Sequence, residues 1–151
     1  MALISVTRLR VRSLRYFPGF LFFTLVSACQ AKRARGNLGT SLLAEAKRTF
    51  WTCTAWEDEV SMREFMMAPP HRRAMPKLLE WCDEAAVAHW LQESSGLPDW
   101  REAHRRMVAE GRRSKVRHPS PAHEAFEIPP PAQRGKGKGI GKSIPGQRTG
   151  S

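Results

Sequence analysis

The run Thr49-Phe-Trp-Thr-Cys-Thr-Ala-Trp56 leaves this chain few ways to fold. Aromatic and β-branched residues fit a pleated surface, so the run predicts a strand. Period two puts Phe50, Thr52, Thr54 and Trp56 on one side and Trp51, Cys53 and Ala55 on the other. Both sides are largely apolar. Such a strand needs cover on both faces, which places it inside a sheet.

The neighbouring segments supply the rest of that sheet. Ile4-Ser-Val-Thr-Arg-Leu-Arg-Val11 alternates apolar with polar or charged residues, as a half-buried strand does. The apolar run Phe17 to Val26 then predicts a buried helix that ends at the Gly36-Asn37 stop signal. Thr40 to Ala46 reads as a short strand turning through Lys47-Arg48 into the Thr49 run. After it, Asp58 is a good N-cap for a helix whose buried stripe is Met62, Phe65 and Met66. Pro69-Pro70 stops that helix, because proline lacks an amide proton and restricts the residue before it. A second helical piece carries Ala74, Met75, Leu78, Leu79 and Trp81, and Ala85 to Leu91 reads as the last strand. A final helix follows, with Trp100, His104, Met107 and Val108 on one stripe.

The order is α+β: a ferredoxin-like βαββαβ antiparallel sheet with helices on one face, plus an extra C-terminal helix. The second sheet face then needs cover, and a homodimer pairing sheet against sheet is the economical solution. The domain is expected over residues 1–118, followed by a disordered tail over 119–151. Charge supports the division: Arg112 to Ser151 hold nine Lys/Arg and two Glu, a net of +7 out of +11 for the chain. A Pro-rich and then Gly/Lys-rich stretch cannot build a core. A basic tail attracts acidic partners by charge alone, without specific recognition of nucleic acid.

The N-terminus allows a second reading. Basic residues, a short apolar run and Val26-Ser-Ala-Cys29 resemble a bacterial lipoprotein signal, which would lipid-anchor the chain at Cys29. The period-two pattern before it favours strand and helix, and the run is too short to span a bilayer. Three cysteines with no CxxC spacing give neither a zinc motif nor a disulfide framework. They read as reduced core residues of a cytoplasmic protein. No P-loop, GxGxxG or Ser-His-Asp order is present, and no metal site is predicted.

Over Thr49 to Trp90 the chain resembles the dimeric α+β barrel superfamily, which includes the antibiotic-biosynthesis-monooxygenase-like proteins. Within it, the pattern is similar to spheroidene-monooxygenase-like small proteins: a strand ending in Trp56, then Asp58, Met62, Phe65, Pro70-His71 and Trp81. The resemblance implies an oxidoreductase, a small monooxygenase-like protein with an apolar ligand between sheet and helices. By position it makes His71 a candidate catalytic residue or haem ligand, with Arg72 and Arg73 beside it to hold an anion such as a propionate. The haem-degrading branch carries a Trp and a His where Phe65 and Met75 stand here. Trp51, Trp56, Phe65 and His89 are the candidate pocket residues. Each also has a structural reading: tryptophans as core aromatics, arginines as a solvated face, histidines as partnered groups. The alternative function is a non-catalytic dimeric binding protein whose basic tail docks on an acidic partner.

Overall fold

The computed structural model describes residues 1–131 and the two-residue strand Lys138–Gly139. The remainder of the expected tail lies outside the described residues. The elements run β1 (Ala2–Val11), α1 (Phe17–Arg33), β2 (Asn37–Glu45), β3 (Thr49–Trp56), α2 (Glu59–Met67), α3 (His71–Trp81), β4 (Cys82–Gln92), α4 (Trp100–Glu110), β5 (Arg112–Arg113), α5 (Pro121–Glu124) and β6 (Lys138–Gly139). They form one antiparallel sheet in the order β5-β4-β1-β3-β2-β6. The inner four strands have the ferredoxin-like order, and β3 is an interior strand as its two apolar faces require.

Residues 2–33 serve as strand and helix, as the periodicity predicts. β1 lies between β3 and β4, so cleavage before Cys29 would remove the centre of the sheet. Gly36 ends α1 with a left-handed φ of +81°. A Cβ there would come within 2.6 Å of Ser61 Cβ, so only glycine is accommodated without a shift. Asp58 caps α2 by accepting from the Ser61 amide at 2.8 Å.

The alternation in β1 is not the single one the sequence suggests. Ile4 and Val6 face the cluster of Trp51, Cys53, Ala88 and Trp90. Val11 faces the opposite cluster with Phe20 and Cys82, which Leu9 joins. The apolar phase flips in mid-strand, so Arg8 falls on the buried Ile4/Val6 side. Its Nη1 donates to Glu84 Oε2 at 2.7 Å, and Glu84 also accepts from Arg10 at 3.2 Å and from Ser120 Oγ at 2.9 Å.

The second sheet face receives cover from within the chain. α4 covers the Trp51 face, with Ala103 and Met107 buried against it and Trp100 packed at its edge. Val108 is turned outward, about 100° round the helix from Met107. The covering chain also continues beyond the expected boundary at residue 118. Phe126 and Ile128 pack on the same cluster, the Ser120 amide donates to the Asp83 carbonyl at 3.0 Å, and His123 Nδ1 accepts from the Ala85 amide at 3.2 Å. A second copy is therefore not needed on this face, because the chain covers it itself.

Met107→Ala should destabilise the fold by about 2–5 kcal/mol, whereas Val108→Ala should stay within about 0.5 kcal/mol. Chemical denaturation checks both, and equal effects would mean that α4 does not bury Met107. Glu84→Gln leaves Arg8 buried without a counter-charge and should cost about 3–5 kcal/mol. Burial pushes the Glu84 carboxyl up, but its hydrogen bonds from Arg8, Ser120 and Arg10 win and hold it below the ordinary glutamate range. Its stabilisation is therefore present above the ordinary glutamate pKa and is lost as pH falls through the lower folded value. Acid titration of the Glu84→Gln variant should show a flatter decline than wild type.

Candidate functional site

A cavity of about 310 Å³ lies between the second sheet face and the helices α1, α2 and α3. That volume sits at the small end of ligand sites, which run to about 1,000 Å³. The floor is built in cross-strand rows. Thr40, Thr54, Ser5 and His89 lie side by side across β2, β3, β1 and β4. The next row inward contains Thr52, Thr7 and Val87, and the one beyond it Leu9 and Ala85, with Phe50 of the same row packed against Phe20 outside the lining. Polarity thus falls along the floor from a hydroxyl and imidazole end to an apolar end. The roof is mostly apolar, with Ala28 and Ala31 of α1, Met62 of α2 and Leu78 of α3, and α1 adds the hydroxyls of Thr24 and Ser27.

Aromatic rings line one wall. Trp56 stacks on Phe65 at 5.1 Å between centroids, and Phe65 meets the His71 ring at 4.8 Å. The Trp56 indole is fully buried and donates to Thr54 Oγ1 at 2.9 Å. His71 opens α3 directly after the Pro69-Pro70 break. Its backbone amide donates to Gln30 Oε1 at 2.9 Å, and the same Gln30 amide group donates to the Phe65 and Ala68 carbonyls at 3.1 Å each. His71 Nδ1 lies 3.3 Å from the Met66 carbonyl. A carbonyl only accepts, so this contact selects the Nδ1–H tautomer and leaves Nε2 with its lone pair.

Both cavity histidines are biased towards the neutral form. Burial pushes His71 below its ordinary value, and the Met66 carbonyl offsets part of that. Burial and then the Arg112 charge push His89 down, against the opposing pull of Glu59.

Of the residues expected at the site, Trp56, Phe65, His71 and His89 come together at the cavity. Trp51 does not. It faces α4, where its indole donates to Glu45 at 2.7 Å and its ring meets Trp100. Arg72 and Arg73 are exposed and lie outside the cavity lining, because the helical turn after His71 carries them away from the sheet. The cations that do line it are Arg112 and Lys115, which follow α4. The floor hydroxyls Ser5, Thr7 and Thr52 were not anticipated. In the half-buried β1 such positions read as the solvent face, and although β3 calls for cover on both sides, nothing in either strand marks that α1 is the roof.

A haem does not fit these residues. His71 is packed against Phe65, the two adjacent arginines that would hold propionates are outside, and the cavity is small for a macrocycle. Among the described residues, no group of three or more His, Cys, Asp or Glu is placed to hold a metal ion.

No protein-family model matches the sequence, and no curated protein matches it. Solved structures do match. An antibiotic biosynthesis monooxygenase superposes with a TM-score of 0.54 at 12% identity, over 61% of this chain and 99% of that one. A conserved protein from Methanosarcina mazei Go1 gives 0.55 at 16% identity, over 62% and 94%. The fold is that of the antibiotic-biosynthesis-monooxygenase-like proteins. SnoaB, a cofactor-independent oxygenase from Streptomyces nogalater, matches with a TM-score of 0.50 at 18% identity, over 65% and 98%. Identities this low carry over the fold, so the role of each side chain here rests on the geometry of this chain. No helix among the described residues is long and apolar enough to cross a membrane.

Titrating the protein with haem should give no saturable Soret shift. A shift near one haem per chain that disappears in His71→Ala would overturn the fit argument.

Proposed function

We propose that the chain is a small monooxygenase-like protein that acts on a compact, flat apolar ligand, with His71 as its base. The observation that carries this reading is the neutral His71 ring at an aromatic wall, its free Nε2 set by the Met66 carbonyl. The Trp56 and Phe65 rings suit a planar ligand, and the Ser5, Thr54 and His89 row suits a polar group at one end of it. The likeness in fold to a cofactor-independent oxygenase favours direct reaction with O2.

Such a reaction needs a substrate whose carbanion is stabilised, for instance an aromatic ketone with an activated methylene. His71 Nε2 takes one methylene proton, and the carbanion passes an electron to O2. Recombination forms a C–O bond, and the hydroperoxide loses water to leave a carbonyl. One oxygen atom ends in the product and one in water, so O2 is the only oxidant. General-base removal is worth about 10²–10⁴-fold.

A homodimer of this chain would use a surface other than the α4-covered sheet face. The non-catalytic reading, with the basic segment docking on an acidic partner, keeps the ligand site and drops the chemistry.

Oxygen uptake with aromatic ketones of this class provides the test. Wild type should consume one O2 per ketone, and His71→Ala should lose at least about 10²-fold in kcat while still binding ligand. Equal rates would remove His71 from the chemistry, and binding without uptake would favour the non-catalytic reading. Because His71 is held below the usual histidine value of 6.5, the acid limb of kcat/KM should fall below that pH. A limb above it would contradict the buried, neutral imidazole.

A further inference from the structure

We propose that the outward face of α1 docks on the surface of an anionic lipid bilayer. Over Pro18 to Leu25 the outer side of α1 is apolar, although a surface helix of a small domain is normally polar on its outer side. Its inner side holds Phe20, Ala28 and Ala31. Its outer side presents Leu21, Phe22 and Leu25, which are 37%, 61% and 46% exposed, and Leu14 in the turn before it is 70% exposed. Spacings of three and four residues align these with Pro18 and Cys29 on one stripe. Exposed apolar groups elsewhere, such as Val60 and Leu91, are not stacked on one helix in this way.

The charges around the stripe choose the partner. Exposed Arg15 stands at its start and exposed Arg33 and Arg35 at its end. No Asp or Glu occurs anywhere between Met1 and Ala44. α3, packed beside α1, adds exposed Arg72, Arg73 and Lys77, and Lys77 Nζ lies 5.5 Å over the Phe23 ring of α1. An apolar stripe rimmed by cations is the pattern of a helix that lies in a membrane interface. α1 spans 17 residues and does not qualify as a membrane-crossing helix, which agrees with lying flat. A second copy is the poorer occupant: a two-fold interface on this stripe would bring the same cations of both chains together. An anionic headgroup layer attracts each of them instead.

The test is flotation of the full chain with phosphatidylcholine vesicles, with and without phosphatidylserine. Wild type should float with the anionic vesicles, and high salt should weaken its attachment. The double substitution F22E/L25E should weaken it by about tenfold or more, since it sets two carboxylates against the headgroups. Val60→Glu, on another surface, should float like wild type. Leu14→Glu is the second variant, because it lies before α1 and keeps the test valid if the double substitution lowers the melting temperature. Failure of wild type to float, or flotation of F22E/L25E and Leu14→Glu equal to wild type, would overturn the proposal. So would a wild-type dimer that F22E/L25E dissociates and that does not float, which would assign the stripe to a second copy. None of these readouts uses the cavity or its ligand.

Discussion

A sheet covered on both sides by one small chain makes two demands on its central strand, and β1 meets them by switching its apolar face half-way. Ile4 and Val6 serve one layer, Leu9 and Val11 the other. The switch puts Arg8 under the α4 layer, where desolvating a guanidinium is costly unless a carboxylate meets it. Glu84 on the neighbouring strand does so, and it takes a further bond from Ser120. The chain after α4 is thereby tied to the middle of the sheet, which is why residues 112–131 follow β4 and do not run off into solvent. Stability in this region rests on the Arg8–Glu84 pair, because Arg8 with no partner would be worse than an apolar residue in its place.

The contrast between the two layers comes from side-chain size. On the α4 side, Trp51, Trp90 and Met107 fill the space between helix and sheet. On the other side the floor carries Ser5, Thr7, Thr52 and Thr54, and the roof Ser27, Ala28, Ala31 and Ala74. Helices cannot sit closer to a sheet than their backbones and the largest nearby side chains allow. Trp56, Phe65 and Trp81 hold the helices off, so the small residues between them enclose space instead of closing on one another. The cavity is thus a consequence of mixing large and small residues in one layer. Hydroxyls on its floor also lower the cost of wetting it, or of meeting a ligand's polar end.

Element order was legible because the punctuation is strong: Gly36, Asp58 and Pro69-Pro70 each stand where the structure starts or stops a helix. β3 was legible to the residue, since its composition is unambiguous. The layer arrangement was less so. Trp100, His104, Met107 and Val108 read as one stripe, but a stripe does not say which sheet face it will meet, and a second copy satisfied the same requirement on paper. The site divides in the same way. Trp56, Phe65 and His71 share a local segment, so helical and strand periods bring them together. Arg72 and Arg73 follow His71 in sequence, yet successive helical residues point about 100° apart, and adjacency in the chain places them outside. Ser5, Thr7 and Thr52 belong to distant strands and became site residues only through register.

Gln30 shows how the two halves of the site are joined. Its side-chain amide donates to the carbonyls of Phe65 and Ala68 and accepts from the amide of His71. They lie on either side of the Pro69-Pro70 break: the Phe65 carbonyl also accepts from the Ala68 amide and the Ala68 carbonyl from the Arg72 amide, so Gln30 adds a second bond to each. One residue of α1 thus bridges the break between α2 and α3. It fixes the angle between α2 and α3, and with it the distance from Phe65 to His71. The roof helix, the aromatic wall and the imidazole are therefore joined through one side chain, beside the Met66 carbonyl that selects the His71 tautomer.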